Sequence, residues 1–224
     1  MPFASLGLDA SILKAVADQG YTEPTPIQKA AIPAVIEGID VIGIAQTGTG
    51  KTAAFTLPLL TRLLRTANNT HKGRVRCLIL APTRELVVQI AENVAAYSRY
   101  SGAVVATCYG GVSERPQIAA LRRGCDFLVA TPGRLLDLGS QGHGDFSAVE
   151  CLVLDEADRM LDMGFLPAIN TIVRALPPER QTLMFSATLS REIETLTKQY
   201  QRSPKLIEVG RRANPAETVT QLLF

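Results

Sequence analysis

Short runs rich in Val, Ile and Leu punctuate the chain at residues 41–44, 77–81, 104–108, 127–131, 151–154, 182–185 and 206–209. Runs of this kind read as strands buried on both faces, which is the signature of a parallel sheet. Between them the apolar positions spread to helical spacing. Residues 11–19 and 27–37 precede the first run, and residues 51–65, 84–99, 114–123, 164–175 and 191–201 follow later ones. The alternation predicts an α/β fold built on a doubly wound, mostly parallel sheet. Pro58 falls inside the helix predicted at 51–65, where it should kink or loosen it. Residues 66–74 and 139–147 read as polar surface loops, and His143 in the second reads as a solvated loop residue.

Composition narrows this picture. The chain has 224 residues, 46% of them hydrophobic, enough for the core of one large domain. Aromatics are scarce and Trp is absent, so aliphatic side chains must fill that core. A net charge of +2 is too small to announce a nucleic-acid partner by itself. Cys77, Cys108, Cys125 and Cys151 lack metal-ligand spacing and read as buried thiols of a reducing compartment. With no membrane-length apolar run and no signal-peptide pattern at the start, the expectation is a cytoplasmic protein.

The sharpest chemical signal is Ala45-Gln46-Thr47-Gly48-Thr49-Gly50-Lys51-Thr52, placed between a strand and a helix. That is the context a phosphate-binding loop needs. Gly48 and Gly50 let backbone N–H groups turn inward, and the following helix points its positive end at the phosphates. Lys51 should reach the β- and γ-phosphates, and the Thr52 hydroxyl should ligate Mg²⁺. The general pattern opens with Gly, whereas this chain has Ala45.

A phosphate loop needs acidic partners. Asp155-Glu156-Ala157-Asp158 follows the run at 151–154, where open α/β sheets place their ligands. Asp155 should hold Mg²⁺ and Glu156 should polarise the attacking water. Taken alone, two acids after a strand could equally cap a helix.

Asp155-Glu-Ala-Asp158 also spells a family name, and the chain resembles the N-terminal, RecA-like P-loop domain of the DEAD-box ATP-dependent RNA helicases of bacterial type. The residues from Gly20 to Gln28 resemble the Q motif, with Phe3 as the isolated aromatic 17 positions upstream. Pro82-Thr83-Arg84-Glu85-Leu86 resembles motif Ia, and Gly110-Gly111 the GG element. Thr131-Pro132-Gly133-Arg134 resembles motif Ib, and Ser186-Ala187-Thr188 motif III. Within this family Ala45 is an ordinary opening of the phosphate loop.

The resemblance implies roles that are chemically sensible. The Gln28 amide can pair with the N6/N7 edge of adenine, which favours ATP over GTP. Tyr21 or Phe3 could stack on the base or simply pack, and Thr25 belongs to the same segment. Pro82, Thr83, Arg84, Gly110, Gly111, Thr131, Pro132, Gly133 and Arg134 are implied to grip the backbone of one RNA strand without reading bases. Ser186 and Thr188 are implied to link the acidic motif to that RNA face, with Asp158 as hydrogen-bond partner.

Residues 1–210 are thus expected to form one ATP-binding domain, with the Q motif in residues 1–29, and 211–224 a linker. Family members carry a second RecA-like domain, and nothing here matches its motifs. The chain therefore reads as a truncated piece, expected to bind ATP and Mg²⁺ but to hydrolyse ATP poorly. Residues 218–224 alternate like a strand without its domain and are expected to be loose or paired with a neighbour. Two rival classes are a P-loop ATPase that never meets nucleic acid and a non-catalytic RNA-binding module. The motif Ib and GG elements oppose the first, and Lys51, Asp155 and Glu156 oppose the second.

Overall fold

A computed structural model describes residues 2–66 and 73–209. The expected strands are all present: β1 (Val41–Ala45), β2 (Val75–Leu80), β3 (Val105–Cys108), β4 (Cys125–Ala130), β5 (Cys151–Leu154), β6 (Gln181–Ser186) and β7 (Lys205–Val209). They form one sheet in the order β3-β4-β2-β5-β6-β1-β7, and every neighbouring pair is parallel, not merely most of them.

The helices expected from periodicity also appear. They are α1 (Ala10–Asp18), α2 (Pro26–Ile36), α3 (Lys51–Arg65), α4 (Arg84–Tyr97), α5 (Arg115–Arg123), α8 (Leu166–Ala175) and α9 (Arg191–Tyr200). Two others lie where sequence reading placed none. α6 (Pro132–Ser140) opens with Pro-Gly, which reads as a turn, yet Pro at the first helical position costs no hydrogen bond. It also takes in the first residues of the loop expected at 139–147. α7 (Ala157–Asp162) is too short to show a period. A 3-10 turn at Phe3–Leu6 tucks Phe3 into the core. α3 runs through Pro58 without interruption, because Pro58 and its neighbours Phe55, Leu57, Leu59 and Leu60 are all buried and packing outweighs one lost N–H.

Strand alternation sorts the core into two layers. Cys77, Ile79, Val153, Leu183 and Phe185 face one layer with α1–α4. Leu78, Leu80, Leu152, Leu154 and Met184 face the other, against α6 to α9. Each fully buried side chain of this size contributes about 1.5–3 kcal/mol. Phe55 of α3 meets Phe185 of β6 at 5.2 Å between ring centroids, which seats α3 on the sheet. At the opposite edge the buried Asp40 carboxylate accepts the Thr182 N–H at 2.8 Å and the Arg202 N–H at 2.7 Å. This fixes how β1, β6 and β7 start, and so where their far ends open.

All four cysteines are unpaired and buried, and burial pushes the Cys108 and Cys125 thiols up to about 12. Among the described residues, no helix is long and apolar enough to cross a membrane. The linker expected at 211–224, and the strand-like 218–224 within it, lie outside the described residues.

Candidate functional site

The carboxyl ends of β1, β5 and β6 adjoin one another, and the chain leaves β1 to return at β2 on the far side of β5 and β6. Such a crossing opens a crevice above the strand ends. Here it is a cleft of about 550 Å³ lined by Tyr21, Thr25, Gln28, Thr47, Gly48, Gly50, Lys51 and Thr52 from one side and by Asp155 and Glu156 from the other. Phe3 also reaches it. Gln46 and Thr49 lie in the same loop but not on the cleft wall; the Thr49 hydroxyl turns back to the Gln46 carbonyl at 2.8 Å.

The loop is held open by its own backbone. Gly50 has φ +91, a conformation in which a side chain is strained, and a Cβ there would collide with the Gln28 amide nitrogen. Gln28 is buried and ties two segments together: its carbonyl accepts the Thr25 N–H at 2.9 Å and its NH₂ donates to the Gly50 carbonyl at 3.1 Å. A primary amide has two N–H donors and two lone pairs, so one of each remains for another partner. Lys51 is also buried and donates to the Ala45 carbonyl at 2.8 Å, with two further N–H donors left over.

Across the cleft, Asp155 is 2% exposed and its carboxyl is pushed up to about 6. Burial is the main cause; Lys51 opposes it and Glu156 adds to it. A further cation beside this carboxylate would favour its ionised form. Among the described residues no group of three or more His, Cys, Asp or Glu could hold a metal alone. Asp155 with the Thr52 hydroxyl instead suits a Mg²⁺ that arrives with phosphate, since that ion uses few protein ligands and keeps its waters.

Glu156 sits at φ 51, ψ 52, a left-handed conformation that costs a non-glycine residue about 1–3 kcal/mol. Strain of this kind persists only where surroundings enforce it. Here the Asp155 carboxylate holds the backbone by accepting the Glu156 N–H at 3.0 Å. Arg159 touches only the side chain, pairing with the Glu156 carboxylate at 3.2 Å.

The other motif residues gather along the same edge, over β2, β3 and β4, off the cleft. Thr83 caps α4 by accepting the Leu86 N–H at 3.3 Å, and Arg84 projects beside it in an exposed pair with Glu85. The Arg84 guanidinium passes 3.4 Å from where a Cβ on Gly111 would stand, an ordinary contact distance, so it is the positive φ of Gly111 (+79) that calls for glycine, while a Cβ on Gly110 would meet open space. Thr131, Pro132 and Gly133 form the start of α6, and Arg134 donates to the Val112 carbonyl at 3.4 Å. Three turns thus interlock into one rim. Beyond β5 and β6, the Asp158 carboxylate accepts the Ala187 N–H at 3.1 Å and the Thr188 hydroxyl at 3.4 Å. Ser186 is buried and accepts the Thr188 N–H at 3.3 Å rather than meeting Asp158.

Some contributors escaped motif reading. Leu86, Gln89, Asn93 and Tyr97, all on one face of α4, form a wall of the cleft, and the Tyr97 hydroxyl lies 3.1 Å from that of Tyr21. Burial and the Tyr21 hydroxyl hold the Tyr97 phenol well above its ordinary value. Gln117 is a buried brace: its amide bonds the N–H and carbonyl of Tyr109 and the carbonyl of Ser113, fixing the ends of the Gly110–Gly111 turn. A Gln on the same helical stripe as Leu121 was the available signal.

Comparison with known proteins agrees with this geometry. The family model described as DEAD/DEAH box helicase matches residues 25–196. The chain is 45% identical to a Pseudomonas putida protein named ATP-dependent RNA helicase RhlB, over 99% of this chain and 57% of that protein. It is 48% identical to DEAD-box ATP-dependent RNA helicase 30 of Arabidopsis thaliana, over 93% of this chain and 35% of that protein. A crystal structure of a DEAD box protein from the hyperthermophile Methanococcus jannaschii superposes with a TM-score of 0.86 at 37% identity, covering 93% of this chain and 56% of that one. The chain therefore spans little more than half the length of these relatives, or less.

Proposed function

This chain belongs to the DEAD/DEAH box helicase family, and from that premise we propose that it is the ATP-binding half of an RNA helicase that opens short duplexes locally. One observation carries the reading: the phosphate loop through Lys51 and Thr52 and the carboxylates of Asp155 and Glu156 share a single cleft large enough for a nucleoside triphosphate.

In this reading the N–H groups of residues 47–52 and the ammonium of Lys51 bind the phosphates. The uncommitted donor and acceptor of Gln28 read the adenine edge, and Tyr21, 41% exposed, offers an aromatic face. Asp155 and Thr52 hold magnesium, which supplies neutralising charge to the phosphates. Glu156 orients the attacking water and takes its proton. The rim formed by Pro82–Arg84, Gly110–Gly111 and Thr131–Arg134 binds the sugar-phosphate backbone of one RNA strand, where hydroxyls and guanidinium groups bind without reading sequence. Asp158, joined to Thr188, links the two regions. A second RecA-like domain completes both sites in the whole protein and contributes the arginines that the transferring phosphate needs. The buried free thiols suit a cytoplasmic protein.

The deciding experiment is an ATPase and nucleotide-binding assay, with and without RNA, on this chain and on the full-length protein that contains it. The chain alone is expected to bind ATP, to turn over slowly and to ignore RNA; the full-length protein should be stimulated by RNA. Absence of ATP binding by the chain would overturn the assignment, and robust RNA-stimulated turnover by the chain alone would overturn the need for a second domain.

A further inference from the structure

We propose that Arg159 is a positioning residue for ATP hydrolysis: it clamps one carboxylate oxygen of Glu156 and leaves the other directed to water. The proposal rests on the functional reading above and assigns a role to a side chain outside the residues that reading uses.

The geometry begins with the backbone. Glu156 is held left-handed at the start of α7, which fixes where its Cβ points but not where its carboxylate lies. Three side-chain torsions separate the two, and a group that aligns water must be held to within about 0.5 Å. One turn of α7 brings residue 159 over residue 156, and Arg159 Nη1 lies 3.2 Å from Glu156 Oε2. The contact is to one oxygen only, so Oε1 keeps its lone pairs.

Its neighbours in the acidic run are otherwise engaged. One Asp155 oxygen accepts the Glu156 N–H. The two Asp158 oxygens accept from Arg159 N–H on one side and from Ala187 and Thr188 on the other. Lys51 donates to the Ala45 carbonyl and exerts its field on Asp155. Among the described residues, Arg159 is thus the cation that pairs with Glu156. The pair is unequal in burial: the Glu156 side chain is 16% exposed and that of Arg159 is 56% exposed. An exposed ion pair of this sort adds little to stability. Its consequence is orientation of the partly buried partner, which kinetics would report and folding would not.

The test uses the full-length protein containing this domain, with Arg159→Ala, Arg159→Gln and Arg159→Lys compared for RNA-stimulated ATP hydrolysis. Removing the cation should lower kcat about tenfold while KM for ATP and RNA affinity stay within about twofold. Lysine should restore most of the rate, and thermal unfolding should be unchanged in all three. Equal kcat in wild type and Arg159→Ala would overturn the proposal. So would failure of Lys to rescue, or parallel changes in KM and melting temperature. A wild-type protein without RNA-stimulated hydrolysis would instead defeat the functional reading itself.

Discussion

The two halves of the sheet's carboxyl edge follow opposite rules. Around β1 and β5 the polar groups are withdrawn from water: Lys51 is 7% exposed, Asp155 is 2% exposed, and Gln28 is buried between two segments it bonds. The backbone there is strained at Glu156 and needs glycine at position 50. Over β2, β3 and β4 Pro82 and Pro132 are buried and the Arg134 side chain is 17% exposed, but Arg84, Gly111 and Gly133 stand in the open. The Arg84 side chain is 57% exposed, Gly110 leaves room, and the anchoring is by helix caps and single carbonyl contacts. A small, highly charged ligand is discriminated by desolvated groups that are strong because water is excluded. A polymer backbone is better met by an accessible row of modest contacts.

That contrast can be tested from its steepest point downward. Glu156→Gln should cut ATP hydrolysis by about 10²–10⁴-fold while leaving nucleotide affinity near wild type, as measured by steady-state ATPase beside fluorescent-nucleotide titration. Retained hydrolysis would remove Glu156 from the chemistry.

Asp155 gives the next largest effect, and it has a pH signature. Its carboxyl moves from 3.8 to about 6 on folding, so the folded state holds the proton more tightly than the unfolded state. The resulting stabilisation is present below about pH 4 and is lost as pH rises through about 6. At pH 7.5 Asp155→Asn should therefore stabilise the metal-free domain by up to about 3 kcal/mol, an advantage that fades towards pH 4, while abolishing magnesium-dependent nucleotide binding. Denaturant titrations at the two pH values check the first half; a pH-independent difference would contradict it.

Gly50→Ala comes third. The added Cβ meets the Gln28 amide at positive φ, so the loss should be about 1–3 kcal/mol in stability, with ATP affinity reduced about tenfold or more. The smallest effects belong to the rim. Arg84→Ala and Arg134→Ala should each weaken RNA binding by about five- to tenfold, equally for unrelated sequences, and flatten the salt dependence by about 0.7 for each phosphate no longer neutralised. ATP affinity should not change. A sequence-dependent loss would mean that the rim reads bases.

Legibility differed between the halves for the same physical reasons. Gly48, Gly50, Lys51, Thr52, Asp155 and Glu156 could be found in the sequence because they fall in two short motifs, each just after a strand, in which residue types recur at fixed local spacing. The rim residues could be found only as a set, since a Thr-Pro-Gly-Arg or a Gly-Gly turn alone is common. The α4 wall was hidden because the i, i+4 spacing of Gln89, Asn93 and Tyr97 shows a shared helical face but not that this face is turned towards the cleft. Gln117 was hidden because a single buried amide looks like any polar helix residue. α6 and α7 escaped because turn-forming residues mask the first and brevity the second.

By itself, the order of apolar runs and periodic segments determined an α/β domain with seven strands, and the local motifs determined which strand ends carry chemistry. Both are properties of neighbouring residues, where steric preference and hydrophobic spacing act over a few positions. Only the tertiary structure decided the strand order and the cleft shared by residues 28, 51 and 155. It also decided the left-handed backbone of Glu156 and the interlocking of three separate turns into one rim. Those depend on which distant segments exclude water from one another, and no local pattern encodes that.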